Sequence, residues 1–328
     1  MNVPARFAVP EGAGFRCRLC PNSCFIAPGK TGRCLGRSNV DGRLVAVNYG
    51  EVVTLEVDPI EKKPLYHFYP GSAVLSTATY GCNLLCPFCQ NFEISQRAAP
   101  TRFVAPRVLL DRALREATPS VAFTYTEPLV WFEYLADALP LLRREGIKTI
   151  LVTNGMVEPQ PLAELLPFVD AMNIDLKSIR REFYRDYIKG DLDAVLATIK
   201  TARRACHVEL TTLLIPGRND SPEELDELTG FVAGLGRDTV LHFSRYFPRH
   251  RATESSTPVD TLVRAARAAG ARLDYVYLGN VVAGDEFRDT FCPGCGHRLV
   301  DRRHYTGVVV GVVDGKCRNC GRRADLVL

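Results

Sequence analysis

The sequence predicts an α/β protein: a parallel, barrel-like sheet with helices outside, flanked by two small cysteine-rich regions. Three observations lead there. Residues 71–285 alternate short β-branched runs with longer helical apolar patterns, the texture of repeated strand–helix units. Polar residues gather just after each run, at the rim where a parallel barrel carries its chemistry. Residues 1–70, with one hairpin-like stretch, and residues 286–328 instead set cysteines at short spacings among glycine and short strand-like runs.

The elements follow in order. Ala73–Thr79 reads as a strand ending at Gly81 and a cysteine loop, and Pro106–Ala117 as a helix. Val121–Tyr125 is a second strand, followed by a helix over Leu129–Arg144 that Pro140 could kink. Ile147–Thr153 is a third strand, closed by Asn154-Gly155; Ala171–Leu176 is a fourth and Val208–Ile215 a fifth. Ser221, with Pro222 first and Glu224 three residues on, reads as a capping box opening a helix. Thr239–Phe243 is a sixth strand, a helix lies near Thr261–Ala269, and Leu273–Leu278 is a last apolar run. Six alternating units suggest helices packed outside a parallel sheet.

Composition narrows the class. A chain of 328 residues with 46% apolar and 24% charged residues can bury a large core. It has no apolar run of about 18 residues, so no membrane span is expected. Its first residues lack the apolar core of a signal peptide. The expected compartment is the cytoplasm, where thiols stay reduced and twelve cysteines call for metals more than disulfides. Eleven fall in clusters; Cys206 stands alone in an apolar run and reads as a buried structural thiol. From Arg288 onward eight Lys/Arg face four Asp, the same excess of four as the whole chain. These charges are scattered, so solvated surface is expected rather than a nucleic-acid face.

Cys82, Cys86 and Cys89 carry the chemistry. Their C-x3-C-x2-C spacing offers three ligands, where a closed zinc site or an ordinary iron–sulfur cluster takes four. Three thiolates on a four-iron cluster leave one iron open to an outside molecule. S-adenosylmethionine (SAM) can chelate such an iron, accept an electron and break to a 5′-deoxyadenosyl radical. The bland alternative is half of a zinc site. Polar residues at the other strand ends favour the open cluster: Tyr125-Thr126-Glu127, Asn154, Asp175 with Lys177, and His242.

The remaining cysteines form two further sets. Cys292-x2-Cys295 and Cys317-x2-Cys320 read as two knuckles around one zinc, or around one iron as in rubredoxin. That metal is expected to be structural, because so short a segment builds little core. Cys17, Cys20, Cys24 and Cys34 also supply four thiols; zinc, an auxiliary iron–sulfur cluster and free thiols all stay open.

With these motifs in place, the chain resembles the radical SAM superfamily, among relatives of pyruvate formate-lyase-activating enzyme. It is most similar there to the group called AmmeMemoRadiSam system radical SAM enzymes. The resemblance rests on CRLCPNSCFIAPGKTGRC, DPIEKKPLYHFYPG, TYGCNLLCPFCQNFEISQ, TYTEP, TNG, NIDLK, LIPGRND, HFSRYFP, YLGN and the terminal CPGCG and CRNCG. It implies a partial (β/α)6 barrel with a small cysteine-rich N-terminal region and a zinc-ribbon-like or rubredoxin-like C-terminal knuckle domain. It implies a [4Fe-4S] cluster on Cys82, Cys86 and Cys89, with the Phe88 ring near the adenine of SAM.

The same resemblance sets residue roles. Tyr125-Thr126-Glu127 stands where relatives carry Gly-Gly-Glu against the SAM amino group, with two glycines replaced. Asn154 would meet the ribose or methionine part, Lys177 the SAM carboxylate, Asp175 its amine or ribose, and His242 the ribose. The repeated ferredoxin spacing of some activases is absent. A flavodoxin- or ferredoxin-type reductant is the implied electron donor. The substrate is expected to be an amino acid, peptide or protein. Glu209 and Arg245, on the inner strands, could bind an amino acid or peptide group, or could form an internal ion pair. Two alternatives stand beside this: an activating enzyme installing a glycyl radical in a partner, and a non-catalytic zinc-stabilised protein binding RNA or protein.

Overall fold

The computed structural model describes residues 3–282 and 284–328. Its centre is one sheet of eight strands: β1 Thr54–Pro59, β2 Ala73–Ala78, β3 Ser120–Phe123, β4 Lys148–Thr153, β5 Ala171–Asp175, β6 His207–Leu214, β7 Val240–Arg245 and β8 Val276–Gly279. The spatial order is the chain order. β2 to β8 are parallel, while β1 pairs antiparallel with β2. Between them run α1 Pro106–Arg115, α2 Phe132–Arg144, α3 Pro159–Leu165, α4 Leu192–Ala202, α5 Pro222–Leu235 and α6 Val259–Gly270. Six strand–helix crossovers are therefore present, with β8 finishing the sheet.

The helices pack because their apolar residues recur on one face. In α2, Phe132, Leu135, Ala138, Leu139 and Leu142 are all buried, the i, i+3, i+4, i+7 stripe that faces a core. Burying each leucine contributes about 1.5–3 kcal/mol. The helix runs through Pro140 rather than ending there. α5 opens as read: Ser221 accepts from Glu224 N at 3.2 Å, with Pro222 at the first position. The other half of the capping box is absent. Glu224 accepts instead from Ser178 Oγ and from Ile179 N, tying α5 to the loop after β5.

Three elements depart from the sequence reading. β1 lies inside the segment assigned to the N-terminal region, so the main sheet begins before residue 70. α3 is seven residues long with two prolines, too short for periodicity to reveal. α4 has no counterpart in the sequence reading; Asp191 precedes it as the cap, its carboxylate accepting from Ala194 N at 3.0 Å. Cys206 is half-buried rather than buried.

Each flanking region is fastened through a buried arginine. At the N-terminal side, the Arg37 guanidinium is fully buried and donates to both Glu133 oxygens of α2, at 2.8 and 3.0 Å. At the C-terminal side, Arg302 is equally buried, 4.3 Å over the Tyr66 ring and bonded to Thr290 Oγ1 at 2.7 Å. No helix among the described residues is long and apolar enough to cross a membrane.

Candidate active site

The cysteine loop follows β2 and is gripped from several sides. Gly81 has φ +96°, and a Cβ there would stand 2.0 Å from the Cys34 carbonyl oxygen, so only glycine fits. Asn83 Nδ2 donates to Met156 O at 2.6 Å, and Gln96 Nε2 to Cys86 O at 3.0 Å. A π-helical segment, Phe183–Ile188, supplies Ile188 O to Leu85 N at 2.9 Å. Donors also reach the sulfurs: Leu84 N lies 3.4 Å and Asn154 Nδ2 3.6 Å from Cys82 Sγ, and Ser95 Oγ lies 3.2 Å from Cys89 Sγ. Burial pushes the Cys82 thiol well up and the Cys86 thiol to about 12. Left alone, these groups would stay protonated; a bound metal would take them as thiolates.

A cavity of about 300 Å³ opens over this loop at the C-terminal ends of the strands. It is lined by Cys82, Cys86, Phe88, Cys89, Tyr125, Thr126, Glu127, Asn154, Asp175 and Lys177. Thus nearly every residue read as a cluster or cofactor ligand faces one space. A three-thiol set with sulfur-directed donors, under a cavity with a free face, fits an iron–sulfur cluster that keeps one iron open.

Within the cavity the polar groups are already engaged. Lys177 Nζ donates to Asp175 Oδ2 at 2.9 Å. Burial opposes the lysine charge, but Asp175 and the nearby Cys86 hold it above the usual lysine value. Glu127 is buried and accepts from Thr153 Oγ1 at 2.6 Å, Asn154 N at 2.8 Å and Leu129 N at 3.0 Å. Burial pushes its carboxyl up to about 7, against those three bonds. Glu127 is therefore a brace between the ends of β3 and β4 more than a free acceptor. Asn154 is likewise occupied: its Nδ2 donates to Asn83 Oδ1 at 2.8 Å and its Oδ1 accepts from Met156 N at 2.8 Å. Phe88 packs against Tyr187, with ring centroids 5.7 Å apart.

Tyr125 stands at one of the two positions where glycine is replaced. Its φ is +65°, the left-handed region that glycine favours, here adopted with a side chain in place. The cost is offset by a network beneath the cavity. Tyr125 OH donates to Asp58, Lys63 Nζ lies 2.8 Å from Asp58 Oδ2, and Asn91 Nδ2 donates to Tyr125 O at 2.7 Å. Burial alone would raise the Asp58 carboxyl, but bonds from Lys63 and Tyr125 hold it well below the usual range. Thr126 Oγ1 donates to Thr79 O at 2.8 Å.

Three sequence-predicted residues lie elsewhere. Glu209 is fully buried near the start of β6, where it accepts from Tyr66 N at 2.9 Å and His67 N at 2.7 Å. His207 and His242 close the set, Nε2 to carboxylate at 3.0 and 2.6 Å. Burial works against its charge, yet these imidazole bonds hold the carboxyl well below its usual range. With its lone pairs taken by four partners, Glu209 has nothing left for a substrate. His242 bonds to Glu209 and lines the smaller adjoining cavity instead of this one. Arg245 pairs with neither; its Nε donates to Thr257 O at 2.8 Å and its guanidinium lies 4.8 Å over Phe247. The expected mutual ion pair of Glu209 and Arg245 gives way to these partners.

The sequence reading missed Lys62, Asn91, Thr211, Ser244 and Asn280, which also line the cavity. Lys62 carries a signal, since it lies in the DPIEKKPLYHF segment. That segment supplies Asp58, Lys62 and Lys63 to the cavity side and Glu61, Tyr66 and His67 to the buried cluster around Glu209 and Arg302. At the C-terminus, Cys292, Cys295, Cys317 and Cys320 sulfurs lie within 4.8 Å of one another, with cross pairs at 3.6 and 3.7 Å. A tetrahedral ion bonded at 2.3 Å separates its sulfurs by about 3.8 Å, so the set fits one metal ion. Cys17, Cys20, Cys24 and Cys34 surround a separate small cavity.

A model of the Radical SAM superfamily matches residues 76–229. An uncharacterized protein of Methanocaldococcus jannaschii, MJ0808, is 42% identical over 322 residues, which is 95% of this chain and 96% of that one. Pyruvate formate-lyase 1-activating enzyme of Escherichia coli is 23% identical over 174 residues, 51% of this chain and 71% of that one. PqqA peptide cyclase of Gluconobacter oxydans is 25% identical over 225 residues, 63% of this chain and 61% of that one. Among solved structures, Streptococcus suis SuiB bound to S-adenosylmethionine shares the fold with TM-score 0.53 at 16% identity, over 72% of this chain and 56% of that one.

Proposed function

This chain belongs to the radical SAM superfamily and is a radical SAM enzyme; we propose that it abstracts hydrogen from an amino acid, peptide or protein substrate. Cys82, Cys86 and Cys89 would hold a [4Fe-4S] cluster. Bound there, the cluster and SAM supply a 5′-deoxyadenosyl radical at the cost of one electron from a flavodoxin- or ferredoxin-type donor. The carrying observation is the cavity itself: the three thiols and the Asp175–Lys177 pair face one space at the strand ends. Membership of this enzyme superfamily sets aside the non-catalytic alternative.

The chain's own contribution is to hold reactants and keep water out. Lys177, held protonated, offers a cation for a carboxylate, and Asp175 an anion for an ammonium, which suits the methionine end of SAM. Glu127 and Asn154 keep the β3 and β4 ends and the cysteine loop in register. Phe88 sits beside the third cysteine, as a ring near an adenine would. We place the substrate on the other side of Asn280. There a cleft of about 620 Å³ is lined by Tyr66, Asn280, Arg288, Arg303, His304 and Tyr305. A smaller cavity with Lys62, Ser244, Asn280 and Tyr305 joins the two spaces through shared walls. This cationic, partly aromatic cleft suits a carboxylate-bearing amino acid or a chain end, and it replaces Glu209 and Arg245 as the substrate side.

Likeness to PqqA peptide cyclase supports a peptide or amino acid. Likeness to a pyruvate formate-lyase-activating enzyme favours the second reading, glycyl radical installation in a partner. We also place the chain in the AmmeMemoRadiSam group, on the motifs that carry that resemblance. The test is deuterium transfer into 5′-deoxyadenosine from labelled amino acids and peptides. Label arriving only from a glycine of a large partner protein, with a stable glycyl radical in electron paramagnetic resonance (EPR), would give the activase reading.

A further inference from the structure

We propose that Cys17, Cys20, Cys24 and Cys34 hold a second iron–sulfur cluster of the [4Fe-4S] type, and not a zinc ion, directly behind the SAM-cluster loop. The chain carries its own standards for this distinction. The C-terminal cysteines gather as a single-ion site does, all four sulfurs within 4.8 Å. No other group of three or more His, Cys, Asp or Glu ligand atoms among the described residues comes together so closely. Cys82, Cys86 and Cys89, the cluster ligands by family, are spread beyond that limit, and so are the four N-terminal thiols. A cubane of iron and sulfide needs wider thiolates than one ion bonded at 2.3 Å. The N-terminal set therefore lacks the close gathering of the single-ion site and resembles the Cys82, Cys86 and Cys89 set in this.

The surroundings agree. The four cysteines surround one cavity whose other walls include Leu19, Ile26 and Val130, an apolar shell that keeps solvent from a cluster. Arg37 also lines this cavity. Its guanidinium is fully buried, its Nη1 and Nη2 are bonded to Arg6 O and Glu133, and its Nε–H has no partner. A buried N–H left without an acceptor costs about 1–3 kcal/mol, and a thiolate or sulfide of a bound cluster would accept from it. The site also shares a wall with the radical centre. The Cys34 carbonyl packs on Gly81, next to Cys82, and Asn22 Nδ2 donates to Asn83 O at 2.7 Å.

The test is metal content after anaerobic reconstitution of the full chain. Wild type should bind about eight irons and eight sulfides, and the Cys82→Ala/Cys86→Ala/Cys89→Ala variant about four of each. The cluster left in that variant should give an EPR signal on reduction that SAM does not alter. A variant without iron or sulfide overturns the proposal, whether the N-terminal site then carries zinc or nothing. Should the variant not fold, the wild-type count decides: about four irons overturns the proposal, about eight with loss of half in Cys20→Ser/Cys34→Ser supports it. SAM cleavage by wild type tests the radical SAM reading separately, since one cluster suffices for it.

Discussion

Replacing Glu133 by Gln should destabilise the protein far more than an ordinary surface change. Glu133 is buried, and its carboxylate accepts from Arg37 Nη2 at 2.8 and 3.0 Å and from Arg6 N at 2.8 Å. Gln keeps the size and one acceptor but removes the charge facing a guanidinium with no exposure to water. Breaking one side of a buried pair costs about 3–5 kcal/mol, because the remaining charge is left uncompensated. At about 2–4 °C per kcal/mol, the midpoint of unfolding should fall by roughly 6–20 °C. The double variant Arg37→Met/Glu133→Leu removes both charges at similar volume, so it should lie within about 1.5 kcal/mol of wild type. Anaerobic thermal and urea unfolding of wild type, Arg37→Met, Glu133→Leu and the double variant closes the cycle, with Glu133→Gln measured beside them. If Glu133→Gln is near neutral, or the double variant is as unstable as the sum of the single ones, the buried pair is not what fastens the N-terminal region to α2.

Lys177→Ala removes a charge-assisted contact worth about 1.5–3 kcal/mol, so SAM should bind about tenfold or more weakly, with the cluster's absorbance unchanged; equal affinity counts against the SAM role. Burial holds His67 neutral, lowering its value from 6.5 to about 3. The unfolded chain then binds the proton first as pH falls, so stability present above pH 6.5 should drop by about 2 kcal/mol by pH 5. His67→Gln should flatten that part of the stability–pH curve, and an unchanged slope would contradict the assignment. Cys295→Ser with Cys320→Ser should release about one metal ion per chain and loosen residues 286–328 without ending SAM cleavage; full metal retention argues against the four-cysteine site.

The alternation of strands and helices was readable because each parallel strand is a short apolar run ended by a polar residue. Short elements escaped: α3 holds two prolines in seven residues, and β1 ends in Pro59. At the site, spacing in the chain sufficed for Cys82, Cys86 and Cys89, and strand-end position for Asp175 and Lys177. Position along a strand misled for Glu209 and His242. Both were read at the rim or inside the barrel, but they face the Tyr66–His67 segment, whose path no local pattern reveals. The same long-range docking hid Lys62 and Asn280. The N-terminal thiols show the limit in another way: four cysteines were legible, but the spread of their sulfurs exists only in three dimensions.

The central claim is a radical SAM centre on Cys82, Cys86 and Cys89. Its most direct test is 5′-deoxyadenosine formed from SAM under a strong reductant, wild type beside the Cys82→Ala/Cys86→Ala/Cys89→Ala variant. Product from wild type and none above background from the variant is the expected result. Equal product from both proteins would contradict it.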